Sequence, residues 1–176
     1  NPILSPAEFL EAVLIGFGLV PVPSSKTQRL RPLEQFLIKV HEQGKIVALC
    51  VDEAHSLPCA LLEEIRLLGN VEFGGQKLLQ ILMLGQKELD GLLNRDHLRQ
   101  FKQRIALRFS LGPLTENEVG AYMQHRWSRA GGALPAPFTP AAVTAVGLWS
   151  KGFPRLINAV CDNALLLAFG EQSALV

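Results

Sequence analysis

Around residues 45–55 the chain reads K-I-V-A-L-C-V-D-E-A-H, six consecutive apolar residues running straight into two carboxylates. The run 46–51 is rich in β-branched side chains, too short for a typical helix and without polar alternation. It predicts a strand covered on both faces, as in a parallel α/β sheet. Ligands of open α/β sheets bind outside the carboxyl ends of the strands, where Asp52 and Glu53 stand. Neighbouring positions on an extended chain point to opposite sides. One carboxylate can therefore hold a cation while the other faces a water.

Mg²⁺-assisted attack on a nucleotide phosphate is chemistry that uses such a pair. An Asp at the strand tip binds the ion, directly or through its waters, and the next carboxylate orients or deprotonates the attacking water. Apolar residues followed by D-E make the Walker B pattern. The same letters also suit a buried strand followed by a helix whose first turn favours acidic residues through the macrodipole. The motif alone leaves both readings open.

At 176 residues the chain is long enough for one full domain, or for one medium and one small domain. Its 48% apolar and 19% charged residues exclude disorder, and its apolar runs fall well short of the ~20 residues that span a bilayer. No membrane span is expected. A net charge of +1 argues against a general binder of nucleic acid or anionic membranes, leaving room for a local patch. The three cysteines, Cys50, Cys59 and Cys161, form no C-x-x-C and sit in apolar patterns. They are expected to be reduced core thiols, which suits a reducing cytoplasm. The four histidines show no metal-ligand spacing, so zinc is not expected. The chain starts N-P without an initiator Met, a basic segment or an apolar leader, as expected of a piece of a longer protein.

Element signals alternate along the chain. S-P-A-E at 5–8 is a capping box predicting a helix over 6–16. Leu30, Leu33, Phe36, Leu37 and Val40 predict a second helix ending at Gly44. After the acidic strand, Ser56 is placed to cap a helix over 58–68, and Gly74-Gly75 to make a turn. A second apolar run, 78–84, predicts the neighbouring strand and stops at Gly85-Gln86. Gln86 then stands level with Asp52 and Glu53 if the strands are parallel. A basic helical stretch follows, and 105–111 predicts a third strand closing at Gly112-Pro113. Beyond it, T-E-N-E at 115–118 is a second capping box, Thr139-Pro140 opens another helix, and 154–169 carries helical spacing. The expected architecture is an α/β layer over 1–112 and a small helical bundle over 113–176, the part that the resemblance given next makes a helical lid domain.

With these pieces in order, the chain resembles the AAA+ ATPases, and within them the bacterial general secretion pathway protein A type. The resemblance rests on V-A-L-C-V-D-E-A-H-S-L, L-L-E-E-I-R-L-L-G-N, L-G-Q-K-E-L, Q-R-I-A-L-R-F-S-L-G-P-L-T and G-F-P-R-L-I-N. N-P-I-L-S at 1–5 looks like the segment after that family's second core strand. The fold implied is part of a P-loop NTPase parallel sheet followed by the helical lid. By resemblance, Asp52 is the Mg²⁺ ligand, Glu53 the catalytic base and Gln86 the sensor 1 residue that contacts the γ-phosphate or the attacking water. Arg104 matches an arginine finger offered to a neighbouring subunit, and Arg155, in G-F-P-R, the sensor 2 arginine that binds nucleotide. Cations near a γ-phosphate stabilise charge in the transition state.

Each residue has a plainer reading: Gln86 as a helix cap, and Arg104 as one of a solvated basic face with Arg95, Arg99, Lys102 and Arg108. Arg155 at a helix start opposes the macrodipole, which argues for a functional reason. The family has Pro where this chain has Lys87. No G-x-x-x-x-G-K-[ST] occurs. In the family that loop precedes the point where this chain begins, so the segment is expected to carry half of a site for ATP and Mg²⁺ and to be inactive alone.

The resemblance further implies ATP hydrolysis in the intact protein, homo-oligomers formed through the Arg104 face and a secretion-system or cell-envelope partner. Its place would be cytoplasmic, on the inner-membrane side. A DNA-associated AAA+ regulator is the alternative, with 95–108 against phosphates; the near-neutral charge disfavours it. A catalytically silent interaction module is argued against by Asp52, Glu53 and Arg155. The DEAH-box helicases share only D-E-A-H, and need a second recA-like domain where this chain continues as a helical bundle.

Overall fold

The 46–51 run becomes a strand, Val47–Val51 (β1), in the computed structural model, which describes residues 4–176, the side chain of Lys26 excepted. Residues 1–3 of the N-P-I-L-S stretch lie outside the described residues. β1 pairs in parallel with Leu79–Met83 (β4), Val47 facing Leu79 and Val51 facing Met83. Parallel strands need a crossover. Residues 52–78 supply it as a 3₁₀ turn Ala54–Ser56, helix α3 (Cys59–Leu68) and an antiparallel hairpin of β2 (Glu72–Phe73) and β3 (Gln76–Lys77). Gly74 and Gly75 form its two-residue turn at φ 58° and 78°, the doubly positive backbone that such turns demand.

Ahead of β1 lie α1 (Pro6–Gly16) and α2 (Lys26–Glu42). The capping box forms as expected: Ser5 Oγ accepts the Glu8 N–H, and Glu8 accepts the Ser5 N–H at 2.7 Å. Leu10, Leu14, Leu33 and Leu37 of these helices pack with Val47, Leu68 and Leu79. After β4 come α4 (Glu88–Leu93) and α5 (Arg99–Lys102), whose Leu93 and Phe101 join Val51, Leu61 and Ile65.

Three expectations are corrected. β1 is not covered on both faces: Val47 and Val51 are buried, but Ala48 and Cys50 are exposed, as are Gln80 and Leu82 of β4. α1, α2 and α3 pack on one face of the pair, and among the described residues nothing lies on the other. Cys50 is therefore no core thiol, and Cys59 is only half-buried; Cys161 is buried, which pushes its thiol pKa up. Second, 105–111 forms no strand, and Leu107, Phe109 and Leu111 are 74%, 87% and 97% exposed. A strand needs a neighbour to take its backbone N–H and C=O groups, and no described strand lies beside this one. Third, Ser56 does not cap α3. Pro58 holds that position, while Ser56 Oγ donates to Glu53 O at 2.8 Å.

The chain divides into two units, Asn1–Arg108 and Phe109–Val176. The second consists of α6 (Glu116–Arg129), α7 (Pro140–Ser150) and α8 (Pro154–Gly170) around Val119, Met123, Val146, Ile157 and Cys161. Thr115 and Glu118 form the expected capping box, the Glu118 carboxylate accepting the Thr115 N–H at 2.8 Å. Between α7 and α8, Gly152 (φ 76°) donates to the buried Ser150 Oγ at 3.2 Å and accepts the Leu114 N–H at 2.9 Å. A Cβ there would run into the Leu114 backbone. Left-handed strain and this collision together predict that Gly152→Ala destabilises the second unit by about 3 kcal/mol. Chemical denaturation followed by Trp fluorescence measures it, and a loss below about 1 kcal/mol would contradict the packing described.

Candidate functional site

Pairing between β1 and β4 continues past the strand ends. Leu84 donates to Val51 O at 2.9 Å, and Ala54 donates to Leu84 O at 2.8 Å. These two bonds tie the 52–55 turn to the 84–86 segment, so that Asp52, Glu53 and Gln86 stand at one tip of the sheet. All three are exposed. That is the convergence expected of parallel strands.

Glu53 departs from the extended geometry expected of it. Its backbone is left-handed (φ 53°, ψ 33°), a conformation costing a non-glycine residue about 1–2 kcal/mol. Local bonds hold it there: the Glu53 N–H donates to Asp52 Oδ1 at 2.8 Å, and Ser56 Oγ donates to the Glu53 carbonyl. A turn, not strand alternation, thus sets the directions of the two carboxylates. The Glu53 side chain is 65% exposed and open to a ligand.

His55 was not among the residues singled out from the sequence. Its ring is 18% exposed; Nδ1 accepts the Gln86 N–H at 3.3 Å, and Nε2 lies 3.4 Å from Glu53 Oε2. Gly85 was missed too: a Cβ there would sit 3.2 Å from His55 N and 3.1 Å from the Leu89 side chain. The letters H and G beside a D-E and a strand end were the available signals. Their use depends on a contact 31 residues apart in sequence, which spacing does not reveal.

Gln86 is not drawn off as a helix cap, because Lys87 occupies the N-cap of α4 and no side chain caps it. Asp52 keeps Oδ2 outside its turn bond. One free carboxylate oxygen suits Mg²⁺, which takes one or two protein carboxylates and completes its shell with phosphate and water oxygens.

Arg104 lies elsewhere in the first unit. Its guanidinium donates to the Asn70 side chain, just past the far end of α3, a helix about 15 Å long that starts beside the tip. The Arg66 hydrogen bond, with a smaller contribution from the Arg104 charge, holds the Glu63 carboxyl below its usual range. Two other members of the basic cluster are tied locally, Lys102 to Asn94 at 2.5 Å and Arg108 to Asp90 at 3.3 Å, while Arg95 and Arg99 are exposed. In the second unit, Arg155 is exposed in the first turn of α8, directly after Pro154.

A family model described as AAA domain matches residues 1–93. General secretion pathway protein A of Aeromonas hydrophila is 40% identical over 178 residues, an alignment covering 98% of this chain and 32% of that protein. The crystal structure of Cdc6p from Pyrobaculum aerophilum matches 95% of this chain and 45% of its own, with a TM-score of 0.63 at 17% identity. At that identity the likeness is one of fold. This chain spans about a third of the secretion protein's length and less than half of the Cdc6p chain.

Two glycines near the tip separate close approach from conformational freedom. Gly85→Ala presses a methyl group on the His55 backbone and Leu89, and should destabilise by about 1–2 kcal/mol. Gly91, inside α4, has open space around the Cβ position, so Gly91→Ala should stabilise by up to about 1 kcal/mol. Urea denaturation of both variants reads the two signs, and equal effects would remove the special role given to Gly85.

Proposed function

The chain belongs to the AAA domain family, and from that membership we propose that it is the ATP-hydrolysing part of a secretion-pathway assembly ATPase. The observation that carries this reading is the tip where Asp52, Glu53 and Gln86 meet through continued β1–β4 pairing. Asp52 holds Mg²⁺, and Glu53 takes the proton of the water attacking the γ-phosphate. Gln86 presents a neutral amide to the γ-phosphate or to that water. Bound Mg²⁺ neutralises charge on the phosphate oxygens. Arg104, away from this tip, acts on the site of a neighbouring copy, and Arg155 is the nucleotide-binding cation of the helical unit. The domain division at about 112, a lid role for 113–176 and a phosphate-binding loop elsewhere in the protein belong to the same reading.

The secretion role is supported by the relative's name; in this reading hydrolysis takes place on the cytoplasmic side of the inner membrane, with a cell-envelope partner. Among the described residues no helix is long and apolar enough to cross a membrane. A DNA-associated regulator has less support, because the net charge is only +1 and Lys102, Arg104 and Arg108 each have a local partner, leaving Arg95 and Arg99 as the exposed cations of that stretch.

In a full-length protein carrying this segment, Glu53→Gln should retain ATP binding within about threefold and lower turnover by at least about a hundredfold. Equilibrium binding and a phosphate-release assay measure the two, and undiminished turnover would remove Glu53 from the chemistry. Arg104→Ala should leave ATP affinity nearly intact and slow hydrolysis in the oligomer, whereas Arg155→Ala should weaken affinity even in monomers. Mixing Arg104→Ala with Glu53→Gln subunits should restore part of the activity, since an interface between them pairs an intact Glu53 with an intact Arg104. Mixed oligomers that stay inactive at every ratio would refute a finger acting across the interface.

A further inference from the structure

We infer that His55 is a positioning residue: its ring holds the Glu53 carboxylate and ties it to the Gln86 end of β4. The Gln86 bond fixes the ring's tautomer. A backbone N–H only donates, so the Gln86 amide requires a lone pair on Nδ1. In the neutral ring the proton then sits on Nε2, which faces Glu53 Oε2 at 3.4 Å, a polar contact longer than a normal hydrogen bond. One imidazole thus joins the backbone that follows β4 to the carboxylate that follows β1.

The two partners differ in freedom. The His55 ring is largely covered, and Gly85, where a Cβ would stand 3.2 Å from His55 N, lets the β4 end press on the same turn. Glu53 is fixed only at its backbone, by the Asp52 and Ser56 bonds, and its long side chain projects into solvent. An exposed carboxylate with several rotatable bonds spends little time in one direction unless something holds it. The imidazole is the nearer, stiffer group, so it selects the Glu53 rotamer. Since Nδ1 is held by Gln86, a displacement of the β4 tip by whatever occupies the Gln86 side moves the ring and, with it, the carboxylate. His55 therefore couples occupancy at Gln86 to the aim of Glu53.

The inference rests on Glu53 as the base, and the test keeps the two apart. In the full-length protein, His55→Phe keeps an aromatic ring and removes the Gln86 bond and the polar contact to Glu53, while His55→Gln keeps an acceptor and a donor. His55→Phe should lower kcat for ATP between about tenfold and a hundredfold, the range for a misplaced catalytic group, with KM unchanged within about twofold. His55→Gln should recover most of that loss. In a Glu53→Gln background, His55→Phe should have no further effect, since no base is left to aim. If His55→Phe does not fold, as judged by circular dichroism, His55→Ala replaces it in each comparison. Wild-type kcat without the two contacts, equal losses in the Gln and Phe variants, or independent losses in the double variant would each overturn the positioning role. Full turnover by Glu53→Gln alone would instead remove the base on which the inference rests.

Discussion

Parallel pairing of β1 with β4 is the constraint on which the rest of the first unit depends. Because Val51 lies opposite Met83, the residues leaving both strands emerge at one level, and two further backbone bonds keep them together. The same register puts Val47, Leu49 and Val51 on the packed face along with Leu79, Ile81 and Met83. A slip of one residue in β4 would turn Leu79 and Ile81 outward and Gln80 inward, against the leucines of α1 and α2. Core and site are therefore specified by one alignment: the side chains that make it stable are those that bring Gln86 to Asp52 and Glu53.

Much of the fold was legible because it is written in local chemistry. Capping boxes at Ser5 and Thr115, prolines 140 and 154 at helix starts, and glycines at turns declare element ends within four residues of sequence. The Asp52, Glu53 and Gln86 meeting was legible because parallel strands stopping at the same level leave little choice. What was not legible depends on neighbours. An apolar run such as V-A-L-C-V does not state whether both of its faces are covered, and I-A-L-R-F-S-L has strand character but becomes a strand only beside another. The left-handed turn at Glu53 and the His55 bridge are further cases, since each arises from bonds made after the chain has folded back.

The site residues divide by how firmly they are placed. Asp52, Glu53 and His55 sit in a turn closed by side-chain bonds, and Gln86 on a backbone clamped to it. Arg104, elsewhere in the first unit, and Arg155, in the second, are long, exposed side chains. Under the proposed function, this division suits chemistry in which the water-activating group is aimed in advance, while the Arg104 cation arrives with a neighbouring copy.

The exposed stretch 106–111 has a consequence for how the molecule behaves in a tube. Leu107, Phe109 and Leu111 alternate with polar residues, the stretch holds no proline, and Arg108 is its one charge. Such a segment is a template for intermolecular β-pairing, with a single gatekeeper to oppose it. At high concentration this chain should self-associate through a sticky strand, in a manner indifferent to nucleotide and to Arg104. Sedimentation of the segment alone would then report on colloidal behaviour, and a charged substitution at Leu107 or Phe109 would be needed before any oligomer could be read as an assembly of functional sites.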